Sequence, residues 1–233
     1  MRQLQRHFVG NLYNARIGVL QPFTHRYWES RSFVRLPPEQ QMHFYSLNNN
    51  TCLYATCTNR KKDEINTKYI SAASDVCLLK ATLTGSAHQN NNNTSHGASF
   101  LGQMKGILRF IYIKPGMMVK VLANLLSNFG VSNGSRGTLM DIIWKSGLGY
   151  NQDEEYIAIV DLPDYTGPAI SPEMERRGLK TWVAIPFSTL YCGKQCCSRT
   201  GLPLTVSKAD TVHSLQGTTI GAGKTITHLH VKL

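Results

Sequence analysis

Acidic side chains are scarce in this chain of 233 residues: 14 aspartates and glutamates stand against 25 lysines and arginines, for a formal net charge of +11. A surface of that sign favours polyanions, through phosphate contacts and counter-ion release, although it also serves plain solubility. The few acids are segregated. The first 36 residues hold Arg2, Arg6, Arg16, Arg26, Arg31 and Arg35 against Glu29 alone. From Gly178 onward Lys180, Lys194, Arg199, Lys208, Lys224 and Lys232 face only Asp210, and the acids gather between Asp153 and Glu175. Basic ends around an acidic middle suit one polyanion-facing surface. Long apolar runs are missing too. None approaches the ~20 residues of a membrane span, and the opening MRQLQRHF lacks the apolar core of a signal peptide. An intracellular protein off the membrane is therefore expected. Its six cysteines (Cys52, Cys57, Cys77, Cys192, Cys196, Cys197) are expected as thiols rather than a disulfide frame. The sequons at Asn49, Asn92, Asn93 and Asn133 then carry no meaning.

Signatures of catalysis are absent or out of register. Gly221-Ala222-Gly223-Lys224-Thr225 imitates a phosphate loop, but G-x-x-x-x-G-K-[ST] needs a glycine where Thr218 stands. A phosphate loop also opens a helix, whereas Ile226 to Val231 has a β pattern, so the segment reads as a hairpin turn. Asp161, after Ile157 to Val160, has the look of a magnesium-holding carboxylate but runs into Leu162-Pro163, as a strand entering a turn does. Cys192, Cys196 and Cys197 lack the second short-spaced pair of a zinc site, with His213, His228 and His230 only loosely downstream. No G-x-S-x-G elbow is present.

What is there is a succession of short elements. Leu4, Phe8 and Leu12 suggest an amphipathic helix over residues 1–14. Pro22 and Pro37-Pro38 bound a basic stretch whose Phe23, Tyr27, Trp28 and Phe33 could stack on bases but are expected to pack inward. Cys52 to Thr56 reads as a strand, Thr58-Asn59 as a helix start and Arg60 to Ile70 as the helix. HQNNNNTSH (88–96) reads as a flexible surface loop. Strand patterns follow at Ile107–Ile113, Met118–Leu122, Thr138–Trp144, Tyr156–Leu162 and Trp182–Leu190, with a turn-rich Asn128–Gly137, and together they suggest a small barrel. Strands at Leu204–Ser207 and Ile226–Leu233 flank a polar turn over Asp210–Thr219.

The richest stretch is Thr205 to Thr218, TVSKADTVHSLQGT. A strand there delivers hydroxyls, an imidazole, an amide and a glycine at its exit, groups that suit sugar and phosphate oxygens. Equally, Asp210 or Thr211 could simply cap a turn containing Leu215.

Four segments in order resemble the PIF-type DNA helicases and their Helitron and RecD relatives, superfamily 1B. Thr58-Asn59 with Asp63-Glu64-Ile65-Asn66 is similar to the family's T-N-x-x-V-D-E-Y-N, with Lys62 at an apolar position. Pro115 to Val119 with Asn124-Leu125, then Val131 to Thr138, resembles G-M-x-V-M-L-x-x-N-L…L-V-N-G-x-R-G-x-V. Asp161 to Pro168 resembles a D-Y-x-G-P stretch. Leu202-Pro203-Leu204 leading into Thr211 to Gly217 resembles motif V, A-x-T-I-H-K-S-Q-G, with Ser214 in place of lysine.

The resemblance implies an α/β fold: a second RecA-like parallel-sheet domain interrupted by a small SH3-like β-barrel, behind an N-terminal helical lead-in. The expected divisions are 1–50 for the lead-in, 51–113 for the first part of the RecA-like domain, 114–195 for the SH3-like insertion and 196–233 for the remainder with motif V. The family's phosphate loop, magnesium carboxylate and motif III would precede residue 1, and its V-A-L-S-R motif would follow Leu233, where the chain stops on a strand. The expectation is therefore a C-terminal piece, half a motor with no catalytic or metal-binding residues of its own. ATP and magnesium serve the parent family and are not expected to bind productively to this chain alone. The implied partners are single-stranded DNA and the missing first RecA-like domain. Thr58, Asn59, Thr211, His213, Ser214, Gln216 and Gly217 are the expected contacts to DNA or the coupling to nucleotide. Family roles in DNA repair, recombination and telomere maintenance would place it in the nucleus or mitochondrion of a eukaryote. The alternatives are a non-functional mobile-element remnant, or one half of an active helicase completed by sequence elsewhere.

Overall fold

The computed structural model describes residues 52–85, 106–147, 156–191, 197–216, 218, 226 and 228–232, with scattered residues between 10 and 39. The chain divides into two compact units, Met1–Asn49 and Asn50–Leu233. In the first unit, Gly10, Tyr13, Asn14, Pro22, Phe23, Arg26, Pro38 and Glu39 are helical. Phe23 is exposed rather than packed inward, at 55%. Leu4, Phe8, Leu12, Tyr27, Trp28 and Phe33 lie outside the described residues, as does the 88–96 tract.

The second unit opens on β1 (Cys52–Thr56), all five residues of which are buried. A central parallel strand covered on both faces needs such an uninterrupted run rather than alternation. Thr58 then caps α1 (Asn59–Ser71): its extended backbone turns the chain, and its side chain accepts from the Lys61 N–H. Antiparallel strands follow, β2 (Cys77–Lys80), β3 (Thr82–Gly85), β4 (Phe110–Ile113), β5 (Met118–Val121), β6 (Arg136–Trp144) and β7 (Tyr156–Asp161). After the short α2 (Pro172–Arg176) come β8 (Trp182–Ile185), β9 (Ser188–Tyr191), β10 (Cys197–Gly201), β11 (Leu204–Val206), β12 (Ala209–Thr211) and β13 (His228–Lys232).

These strands make four sheets, in the orders β12-β1-β13, β3-β10-β9, β11-β5-β6-β7-β8 and β2-β4. Only the first is parallel, with Thr56 opposite both Thr211 and Lys232. The fold is thus mixed α/β. The five-stranded sheet is open, and no closed barrel occurs among the described residues. Its outer strand β11 comes from beyond residue 195, whereas β9, before that residue, joins another sheet. Its inner face builds the main core around Val121, Leu139, Trp144, Val160, Ile185 and Leu204. A second cluster of Leu53, Ala55, Met118, Leu215 and Ile226 lies under the parallel sheet. No described helix is long and apolar enough to cross a membrane.

Three sequence expectations also give way, the first being Ile107–Ile113, which is a strand only over Phe110–Ile113. The run Trp182–Leu190 is two strands, β8 and β9, divided at Pro186, which has no N–H to give a ladder. The polar turn expected from Asp210 begins later, because Ala209–Thr211 pairs with β1. A three-residue strand containing an aspartate has no local signal; its partner makes it a strand.

Candidate nucleic-acid interface

Because β1 and β12 run parallel side by side, the segments that leave them emerge at one end of the sheet. The pairing runs one residue past the strands, where the Val212 N–H donates to the Thr56 carbonyl at 2.9 Å. Each exit is then closed by a threonine. The Thr58 hydroxyl accepts from the Lys61 N–H at 3.2 Å, and the Thr211 hydroxyl accepts from the Ser214 N–H at 3.3 Å. Ser214 returns a bond, its hydroxyl donating to the Thr211 carbonyl at 3.1 Å. The capping reading of Thr211 therefore holds. The cap also dictates presentation: Leu215 is buried in the second core cluster, while His213, Ser214 and Gln216 are exposed. Thr58 and Asn59 are exposed at the neighbouring exit, where Asn59 Oδ1 accepts from Lys62 Nζ at 3.3 Å. Six of the seven expected site residues thus sit at the carboxyl end of two adjacent strands, and Gly217 lies outside the described residues. In open α/β sheets ligands bind at that end.

The residues that hold this edge were not among those expected. Asp210 is buried, its carboxylate taken by Arg136 Nη2 at 2.6 Å and by Lys120 Nζ. Its other oxygen accepts from the Thr211 N–H at 2.9 Å. Burial pushes the Asp210 carboxyl up, but the hydrogen bond and charge of Lys120 and the hydrogen bond from Arg136 outweigh that and hold it at about 2. The Lys120 ammonium is drawn down by burial and pulled back up by Asp210. From α1, the Asn66 amide grips β12 as a strand would: Nδ2 donates to the Ala209 carbonyl at 3.1 Å, and Oδ1 accepts from the Ala209 N–H at 2.8 Å. Tyr69 adds a second tie, its hydroxyl accepting from the Met118 N–H at 3.2 Å and its ring lying 5.5 Å from Lys208 Nζ. One signal was available. Lys120 interrupts the apolar Met118–Val121, at the position where the helicase pattern has methionine.

Other candidate chemistry fares less well. Among the described residues no His/Cys/Asp/Glu group could hold a metal. Cys197 is buried in β10, while Cys192 and Cys196 lie outside the described residues. Burial pushes the Cys52 thiol up to about 11, away from nucleophilic use. Asp161 ends β7 at a turn, as expected. The imitation phosphate loop, 221–225, is outside the described residues, but β13 rather than a helix follows it.

No protein-family model matches the sequence, and no curated protein matches it either. Solved structures do match. The Pif1 helicase from Candida albicans aligns over 97% of this chain and 53% of its own, with a TM-score of 0.60 and 18% identity. A structure of two coordinating Pif1 helicases, which describes DNA unwinding at forked double-stranded DNA, aligns over 94% of this chain and 40% of its own, at 0.59 and 16%. The chain has the fold of about half of a Pif1 helicase. A Bacteroides Pif1 structure in complex with ADP-AlF3 and single-stranded DNA aligns over 100% of this chain and 50% of its own, at 0.53 and 13%. The chain therefore spans about half the length of the Pif1 structures it matches.

Proposed function

We propose that this chain is the second RecA-like motor domain of a Pif1-type, superfamily 1B DNA helicase, and that the carboxyl edge of its parallel sheet holds single-stranded DNA. The observation that carries the reading is the meeting of Thr58-Asn59 with Thr211–Gln216 at adjacent strand exits, since these belong to the first and last of the four segments whose sequence resembles the helicases. Exposed hydroxyl, imidazole and amide groups there can position a sugar–phosphate backbone without reading its sequence, and Gly217 would continue that line of contacts. In this reading the antiparallel region around residues 114–195 corresponds to the family's SH3-like insertion. ATP and magnesium would be used together with a first RecA-like domain that supplies the phosphate loop, because phosphoryl transfer depends on positioned cations and N–H groups from both sides. Work on chromosomal or mitochondrial DNA is the matching cellular setting.

Fluorescence anisotropy of a labelled single-stranded oligonucleotide across a salt series tests this. Binding that weakens steeply as salt rises is expected, and no binding at low salt overturns the reading. His213→Ala combined with Gln216→Ala should weaken affinity by roughly tenfold or more, the worth of one or two bonds to a charged group.

A further inference from the structure

The two-stranded sheet β2-β4 has one face in the core and one face open. Ile111, Ile113 and Leu79 are buried in the main core, while Phe110 and Tyr112 alternate outward, at 44% and 51% exposure. Across the ladder Lys80 stands opposite Phe110 and Leu78 opposite Tyr112. The Arg109 guanidinium lies over the Phe110 ring at 5.1 Å, and Lys80 and Arg109 are both exposed. Two residues apart on one strand face, the two side chains leave the backbone about 6.6–6.8 Å from each other, the span of two strand rises. Rings so placed can each take the face of one base, with the guanidinium plane as a further stacking surface.

We propose that Phe110 and Tyr112, flanked by Arg109 and Lys80, form a base-stacking platform for single-stranded DNA, separate from the sheet edge that would hold the backbone. The charge around the rings selects the occupant. An apolar face meant for a protein core has no need of two cations at its rim, whereas a polynucleotide offers both rings and phosphates. This deepens the proposed function and rests on it. The sheet-edge residues would hold the backbone irrespective of base, and the platform would make binding depend on the bases themselves.

The test compares the full chain with Phe110→Ala/Tyr112→Ala, using one labelled oligonucleotide with bases and one with consecutive abasic sites. The wild-type chain should bind the abasic strand at least about fivefold more weakly per base removed from a ring. The double variant should lose that difference, while Tyr112→Phe retains it. An equal abasic penalty in wild type and double variant overturns the platform, as does the absence of any penalty in the wild type. Loss of affinity in the His213/Gln216 variant, measured on both strands, reports separately on the sheet edge. Since both rings are exposed, an unchanged thermal transition should confirm that the double variant is folded.

Discussion

Asp210 carries an unusual responsibility for one side chain. It lies between Lys120 and Arg136 on one side and the Thr211 turn on the other, so one carboxylate joins the antiparallel sheet to the edge that presents His213, Ser214 and Gln216. Asp210→Ala should cost about 3–5 kcal/mol in denaturant unfolding, because it leaves the buried Arg136 and the partly buried Lys120 without a counter-ion. Lys120→Met should be far milder, within about 1.5 kcal/mol of wild type, since it removes a desolvated ammonium and leaves Arg136 on the carboxylate. The pH dependence has a definite sign. A carboxyl held at about 2 in the folded chain contributes stability above the ordinary aspartate range near ~3.9. That contribution fades as pH falls from about 4 toward about 2. Urea midpoints for wild type and Asp210→Asn should therefore converge across that window. Equal slopes for the two would remove Asp210 from the acid response.

Elements here depend on close approach as much as on pattern. A Cβ at Gly137 would meet the Asp161 carbonyl oxygen at 1.9 Å, so β6 can lie against β7 only with glycine there. Gly137→Ala should cost about 3 kcal/mol or more, the upper range for overpacking. Gly134→Ala, where φ is +99° and the space is open, should cost about 1–2 kcal/mol from backbone strain alone; thermal unfolding of the pair separates crowding from backbone strain. Asn66→Ala should lose about 1–3 kcal/mol by stranding the Ala209 N–H and carbonyl. Which elements were legible follows from where their causes lie. Strand β1 and helix α1 were readable because an apolar run and a capping threonine are local facts. Strand β12 was not, because Asp210 is made acceptable in a strand by Arg136 and Lys120, 74 and 90 residues away. The exits of β1 and β12 were each identified by motif. That they adjoin is a property of sheet order, which neither motif contains.

At the scale of the molecule, the basic surplus and the two proposed DNA-binding surfaces predict a measurable salt law. The logarithm of ssDNA affinity should fall linearly with that of salt, with a slope of about −0.7 for each phosphate neutralised. Lys80→Ala, at the rim of the aromatic face, should make the slope shallower by no more than about 0.7. The parallel sheet sets another property of the whole chain. Both neighbours of β1 are drawn from near the other end of the sequence, with Thr56 and Asp210 joined across 154 residues. At a synthesis rate of about 5–20 residues per second, β1 waits roughly 8–30 s on the ribosome before β12 is made. Through that interval five residues destined for complete burial have both edges open. Unpaired apolar edges of this kind favour aggregation, so co-expression with a chaperone should raise the soluble yield of the chain without changing its unfolding midpoint.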